Sequence, residues 1–80
     1  MNNTEIASKV NDFLVDEFEL EADILTPNAT WKDIGIDSLD FVDIVVVVED
    51  IFEVVIKGED MVEVKTLQAF YDFIERKINS

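Results

Sequence analysis

Residues 37–53 carry the sequence DSLDFVDIVVVVEDIFE, and how this stretch folds decides the architecture of the chain. Its run of β-branched residues, 44–48, favours a strand by propensity. The stretch is longer than an ordinary strand, however, and it begins with a good N-cap, Asp37, and a further acid, Asp40, at the third helical position. We therefore predict a helix over 37–53.

This predicted helix has two apolar faces. The face expected to contact the core is made of six residues, namely Phe41, Ile44, Val45, Val48, Ile51 and Phe52. The opposite face carries Leu39, Val42 and Val46 among acidic side chains. Because acids surround them, we expect these three apolar residues to lie on an acidic surface and not in the core.

On the N-terminal side of this helix, turn-forming residues and scattered apolar residues over 19–37 predict a long loop. Loops of this length are uncommon in compact domains unless they are functional, so a site is expected near the loop's end. Before the loop, Ile6, Val10 and Leu14 recur with helical spacing and indicate an amphipathic helix over 4–18.

On the C-terminal side, a break at Lys57 and Gly58 precedes a short helical turn over 59–63. Thr66 is then a candidate N-cap for a last amphipathic helix. The prediction is an all-α fold, a small antiparallel bundle of three main helices plus one short helix, with a long loop between the first and second helices. We expect a single domain over 1–80.

Composition narrows the function classes. The chain has 80 residues, 49% of them hydrophobic, and it contains neither Cys nor His. Catalytic triads and zinc sites usually need those side chains, so a hydrolase or zinc enzyme is a poor hypothesis. The formal charge of −13 repels phosphate backbones and anionic lipids, so we expect neither nucleic acid nor membrane partners. Such a charge favours proteins with basic patches.

The N-terminal residues 1–5 lack the basic segment and apolar stretch of a secretory signal. The longest apolar run, 44–48, is far too short to span a bilayer. We therefore expect no membrane insertion and a cytoplasmic location.

The segment 35–40, Gly-Ile-Asp-Ser-Leu-Asp, is the most specific candidate site. Gly35 permits a tight loop end, Asp37 caps the helix, and Ser38 displays its hydroxyl beside free backbone N–H groups. A phosphate ester on Ser38 would meet the positive end of a helix. The simpler interpretation is that Asp-Ser merely begins a helix. An EF-hand beginning at Asp33 is rejected because its Gly and Glu positions do not match, and no metal site is expected.

Taken with the acidic second helix and the Thr66-Leu67-Gln68-Ala69 start of the last one, this segment resembles the acyl carrier protein family over essentially the whole chain. The resemblance implies that covalent 4′-phosphopantetheine is attached to Ser38, flanked by Asp37 and Leu39. It also implies a partner-recognition surface made of Asp37, Leu39, Asp40, Val42, Asp43, Val46, Glu49 and Asp50.

The resemblance further implies a non-catalytic, monomeric carrier that has no catalytic residues. It would hold acyl groups as thioesters and present them to enzymes of fatty acid biosynthesis. Its partners would be a phosphopantetheinyl transferase, acyl transferases, ketosynthases and other acyl-processing enzymes with basic docking patches. The sequence departs from the family pattern at Phe41, where many relatives have a small residue, and in the valine run 45–48.

Two alternatives stay open at this point. The chain could be a specialised carrier for polyketides, other acyl groups or aminoacyl groups. Asp37 before the serine favours an acyl carrier, since peptidyl carriers commonly have His there. From a different class, the chain could be an unmodified acidic adaptor or interaction domain that docks through Leu39, Val42 and Val46.

Overall fold

Four α-helices and two short 3₁₀ turns make up the protein in a computed structural model that describes residues 2–79. The helices are α1 (Asn3–Phe18), α2 (Phe41–Phe52), α3 (Gly58–Glu63) and α4 (Leu67–Asn79), and the 3₁₀ turns cover Ala22–Ile24 and Ser38–Asp40. The predicted helical bundle is confirmed. The predicted single domain also includes residues 1 and 80, which lie outside the described residues.

Helix α1 begins one residue earlier than predicted because Asn2 caps it. The Asn2 side chain accepts a hydrogen bond from the Glu5 N–H at 2.8 Å, which satisfies one of the free amides of the first turn. Ile6, Val10 and Leu14 are fully buried, as their spacing predicts. This buried stripe packs against α4.

The predicted long loop between α1 and α2 is present, and it is attached to the start of α4. The Leu67 N–H donates to the Ala29 carbonyl at 3.0 Å, and the Gln68 N–H donates to the Pro27 carbonyl at 2.9 Å. These loop carbonyls accept two of the amides that the first turn of α4 leaves without intrahelical partners. The loop is therefore fixed to the bundle at its midpoint.

Helix α2 differs from its prediction in two ways. Residues 38–40 form a 3₁₀ turn, and the α-helix proper begins at Phe41. Ile44, Val48 and Phe52 are buried as predicted, but Ile51 is 37% exposed, so its assignment to the core-facing set is wrong. Ile51 lines an open groove with residues of α1, because those neighbours do not close over it.

The short helix and the last helix begin close to where the sequence predicts. Gly58, expected to interrupt the chain, is the first residue of α3, and the Asp60 carboxylate accepts from the Lys57 N–H at 3.0 Å. Thr66 caps α4 as predicted, since its Oγ1 accepts from the Ala69 N–H at 3.1 Å. Both starts are fixed by local side-chain hydrogen bonds.

The core draws residues from every helix and from the long loop. Its fully buried members are Ile6, Val10, Leu14, Ile44, Val48, Met61, Leu67, Phe70 and Ile74. Within residues 2–79, none of the buried side-chain polar atoms is left without a hydrogen-bond partner. The described core therefore combines tight apolar packing with hydrogen bonds to its buried side-chain polar atoms.

Candidate functional site

The candidate site begins where the long loop turns into the 3₁₀ turn before α2. Gly35 has a φ of 81°, in the left-handed region that glycine adopts without a Cβ penalty. The Gly35 N–H donates to the Lys32 carbonyl at 3.1 Å, and the Ile36 N–H donates to the Trp31 carbonyl at 2.9 Å. Ile36 is buried, so the tight loop end is held in place directly before Asp37.

Asp37 organises the start of the turn through reciprocal hydrogen bonds. Its Oδ1 accepts from the Leu39 N–H at 3.2 Å, while the Asp40 carboxylate accepts from the Asp37 N–H at 3.1 Å. Asp37 caps the turn as the sequence predicts, and the bond from its own N–H to Asp40 completes a capping box. The two carboxylates fix the backbone on both sides of Ser38.

Ser38 lies between these two acids and is exposed. Its hydroxyl donates to Asp37 Oδ1 at 3.2 Å. A hydroxyl that points to solvent from a fixed backbone can be reached by an enzyme without unfolding the turn. The arrangement therefore suits a residue that is modified by another protein.

A groove of about 420 Å³ opens beside Ser38. Its lining is mainly apolar, and Ser38, Trp31, Phe41, Met61 and Val64 all contribute to it. The loop supplies one wall and α3 with the residue that follows it supplies another. Sequence reasoning did not assign Met61 and Val64 to the site. Met61 lies in α3 and Val64 follows it with an extended backbone, so no single helical spacing joins the two residues.

The 3₁₀ turn before α2 and the solvent side of α2 together form an outer face, which exposes the apolar residues that the sequence predicts there. Leu39 is 82% exposed, Val42 is 68% exposed and Val46 is 59% exposed, and Asp43 and Asp50 are exposed beside them. Apolar side chains exposed at neighbouring positions are typical of a surface that another protein covers. The acids give this surface a negative charge.

Two residues of the predicted partner surface also hold the fold together. Asp40 is half-buried and its carboxylate accepts from the Asp37 N–H. Glu49 is half-buried, and its Oε2 accepts from the Ile56 N–H at 2.8 Å, which ties α2 to the segment that precedes α3. Val55 and Val62 are two further exposed apolar residues, and the predicted partner surface did not include them.

Residues 2–79 contain neither a metal-binding cluster nor a membrane-spanning helix. Within this range, no group of three or more acidic side chains could hold a metal ion. None of the helices in the same range combines the length and the apolar character needed to cross a bilayer.

Known proteins match this chain over nearly all of its length. Residues 8–74 match the family described as "Phosphopantetheine attachment site". The acyl carrier protein of Thermosynechococcus vestitus is 34% identical over 79 residues, which cover 98% of this chain and 98% of the relative. The acyl carrier protein of Chlorobium phaeovibrioides is 35% identical over 78 residues, which cover 96% of this chain and 100% of the relative.

A solved structure supports the same fold. The crystal structure of an acyl carrier protein from Thermotoga maritima superposes with a TM-score of 0.85, covers 99% of this chain and 93% of that chain, and is 22% identical in sequence. The functional assignment rests on the matched family and the similar relatives, and the superposition supports the fold alone. The chain belongs to the acyl carrier proteins, the non-catalytic carriers that hold acyl groups on covalently attached 4′-phosphopantetheine in fatty acid biosynthesis.

Proposed function

We propose that Ser38 is the residue to which phosphopantetheine is attached, through a phosphodiester on its hydroxyl. The observation that carries this proposal is the exposed hydroxyl on a turn that Asp37 and Asp40 hold rigid. Ser38 also lies within the matched residues 8–74. The other described serine, Ser8, is exposed within α1 and does not line this groove.

The surroundings of Ser38 fit the group. The phosphate would be bonded to a serine that faces solvent. The free backbone N–H groups expected beside Ser38 are not found at the next three residues, because the N–H groups of Leu39, Asp40 and Phe41 donate to Asp37 Oδ1, the Asp37 carbonyl and the Ser38 carbonyl. The mainly apolar groove beside Ser38 offers a place for the rest of the arm or its cargo. When bound, phosphopantetheine supplies the thiol that holds acyl groups as thioesters, and the protein supplies position and shelter.

Enzymes that act on the carrier would dock on the outer face formed by residues 37–40 and α2. Leu39, Val42 and Val46 supply apolar contact, while Asp37, Asp43 and Asp50 supply negative charge. The complementary surface is a basic patch around an apolar pocket, as expected on a phosphopantetheinyl transferase, an acyl transferase or a ketosynthase. Charge would speed the encounter, and apolar burial would lengthen the lifetime of the complex.

Fatty acid biosynthesis is the pathway of the family, and we place this chain's cargo there. An aminoacyl role is less well supported, because peptidyl carriers commonly have His where this chain has Asp37, whereas a specialised polyketide carrier stays the alternative. An unmodified adaptor would not need a rigid serine beside an apolar groove. We further propose that residues 1–80 act as one monomeric carrier domain in the cytoplasm, in line with the shared core and the charge of −13.

The test is intact mass after incubation with a phosphopantetheinyl transferase and coenzyme A. Wild type and Ser8→Ala should both gain the mass of one phosphopantetheine, and Ser38→Ala should gain none. The free energy of unfolding of the Ser38→Ala variant should lie within about 0.5 kcal/mol of the wild-type value, because Asp37 remains as the cap. Modification of Ser38→Ala, or of no variant with several broad transferases, would refute the assignment.

A further inference from the structure

Trp31 lies at the inner side of the groove and is fixed from several directions. Its ring packs edge-on against Phe41 at 5.6 Å and against Phe70 at 5.3 Å between centroids. Its Nε1–H donates to the Val64 carbonyl at 2.8 Å. Only 7% of Trp31 is exposed, so this side chain is a structural part of the bundle.

Phe41 lines the same groove but is held by fewer contacts than Trp31. It is half-buried, and its ring contact is with Trp31 alone among the aromatic pairs of the described residues. It lies three positions after Ser38, about one turn further along the chain. Phe70, the third ring of the stack, is fully buried and does not line the groove. The Phe41 and Trp31 rings thus separate the groove from the Phe70 side of the core.

We propose that Phe41 is a specificity-determining residue that limits the length of the acyl chain this carrier can shelter. The inference rests on the proposed attachment at Ser38. With the Phe41 ring in place, an acyl chain lies in the open groove and is stopped at the aromatic stack. Longer chains therefore extend into solvent.

The shape of the groove agrees with this limit. Its volume is about 420 Å³ and it is open to solvent, so the groove volume alone does not set a chain length. The inner end is closed by the Phe41 ring packed edge-on against Trp31. A chain that reaches these two rings can be lengthened only into solvent.

Phe41 and not Trp31 is the residue to change. Removing the Trp31 ring would also remove its bond to Val64 and its packing on Phe70, which would loosen the bundle itself. Removing the half-buried Phe41 ring leaves those contacts intact and opens space toward Trp31. A conservative Phe41→Leu variant tests the same point if Phe41→Ala folds poorly.

The experiment loads wild type, Phe41→Ala and a control, Phe13→Ala, with butanoyl, hexanoyl, octanoyl, decanoyl and dodecanoyl arms, using a transferase and acyl-coenzyme A donors. Phe13 is a matched control because it is also half-buried, has a single edge-on partner, Phe18 at 6.2 Å, and lies outside this groove. Two quantities are measured, the rate of thioester cleavage by hydroxylamine and the fluorescence of Trp31, the single tryptophan of the chain.

In wild type, each sheltered methylene should slow cleavage by up to about fourfold, the equivalent of about 0.8 kcal/mol. Protection of the thioester should level off within this series, before dodecanoyl. In Phe41→Ala, protection should continue to longer chains, and the Trp31 emission should change with chain length beyond the wild-type limit. The Phe13→Ala control should level off where wild type does.

Two results would overturn the proposal. One is wild-type protection that increases steadily through dodecanoyl, and the other is a Phe41→Ala series that levels off at the wild-type length. Either result leaves the attachment at Ser38 untouched, because loading is read separately by intact mass. Failure of Ser38 to load would instead remove the proposed function.

Discussion

The two faces of α2 are built from the same residue types and have opposite environments. Val48 on the inner face is fully buried, whereas Val46, two positions before it, is largely exposed on the outer face. Two valines of one helix, two positions apart, thus show that residue type alone does not determine burial. The two valines differ in their surroundings. Core residues surround Val48, whereas Asp43, Asp50 and solvent surround Val46.

This comparison separates stability from recognition. Burial of the inner face stabilises the fold. The apolar residues of the outer face stay in contact with water while the protein is alone in solution, so they add no such stability. Covering the outer face with a partner would recover it. The two faces should therefore respond differently to the same substitution.

The largest expected effect comes from truncating one valine on each face. Val48→Ala should lower the free energy of unfolding by about 2 to 3 kcal/mol, because it leaves a cavity in the core. Val46→Ala should change it by less than about 0.5 kcal/mol, yet weaken binding to the transferase. Urea denaturation measures the first quantity and titration calorimetry the second. Equal losses of stability would contradict the assignment of the two faces.

The next effect concerns two neighbouring acids on the outer face, Glu49 and Asp50. Glu49→Ala should cost about 1 kcal/mol of stability, because the Ile56 N–H loses its acceptor. Asp50→Ala should cost less than about 0.5 kcal/mol. Both variants lose one negative charge, so the change in net charge is matched. If urea midpoints shift equally, the bond to Ile56 has no energetic role.

The buried phenol of Tyr71 should make the stability of the fold depend on pH in the alkaline range. Burial raises the pKa of Tyr71 above its ordinary value of 10.0. Above pH 10.0 the unfolded chain therefore loses this proton first, and unfolding becomes more favourable as pH increases. Thermal melts across this alkaline range should show a steeper loss of stability for wild type than for Tyr71→Phe. Parallel slopes would mean that Tyr71 does not contribute.

The smallest effect on the fold is expected from charge reversal on the outer face. Asp43→Lys should leave stability nearly unchanged but lower the association rate with the transferase by about threefold at low salt. Asp12→Lys, an equal change of charge at an exposed position of α1, is the control and should lower it less. Stopped-flow rates that show no dependence on ionic strength would count against electrostatic steering.

Features that depend on nearby residues could be predicted from the sequence. The cap at Asp37, the cap at Thr66 and the buried stripe of α1 all involve partners within a few positions, so local patterns contain them. The exposure of Leu39, Val42 and Val46 followed from the acids around them. The helix over the valine run was predicted because its length and cap outweigh strand propensity.

Features that join distant parts of the chain could not be predicted. The bond from Trp31 to the Val64 carbonyl spans 33 positions, and no local pattern contains it. The bond from Glu49 to Ile56 crosses the turn after α2, whose path depends on how α3 packs. Ile51 has core-facing spacing, but its exposure is set by the groove that α1 leaves open.

The pairing of α1 with α4 has a consequence for the order of folding. The Asn3 side chain donates to Asp72 at 3.0 Å, across 69 positions, and accepts from Gln68 at 3.0 Å. Contacts of such high sequence separation require a large loop to close before they contribute, which slows folding. During synthesis on the ribosome, the apolar stripe of α1 is made before α4 and stays without this partner until α4 has emerged, so the core between these two helices cannot close before then.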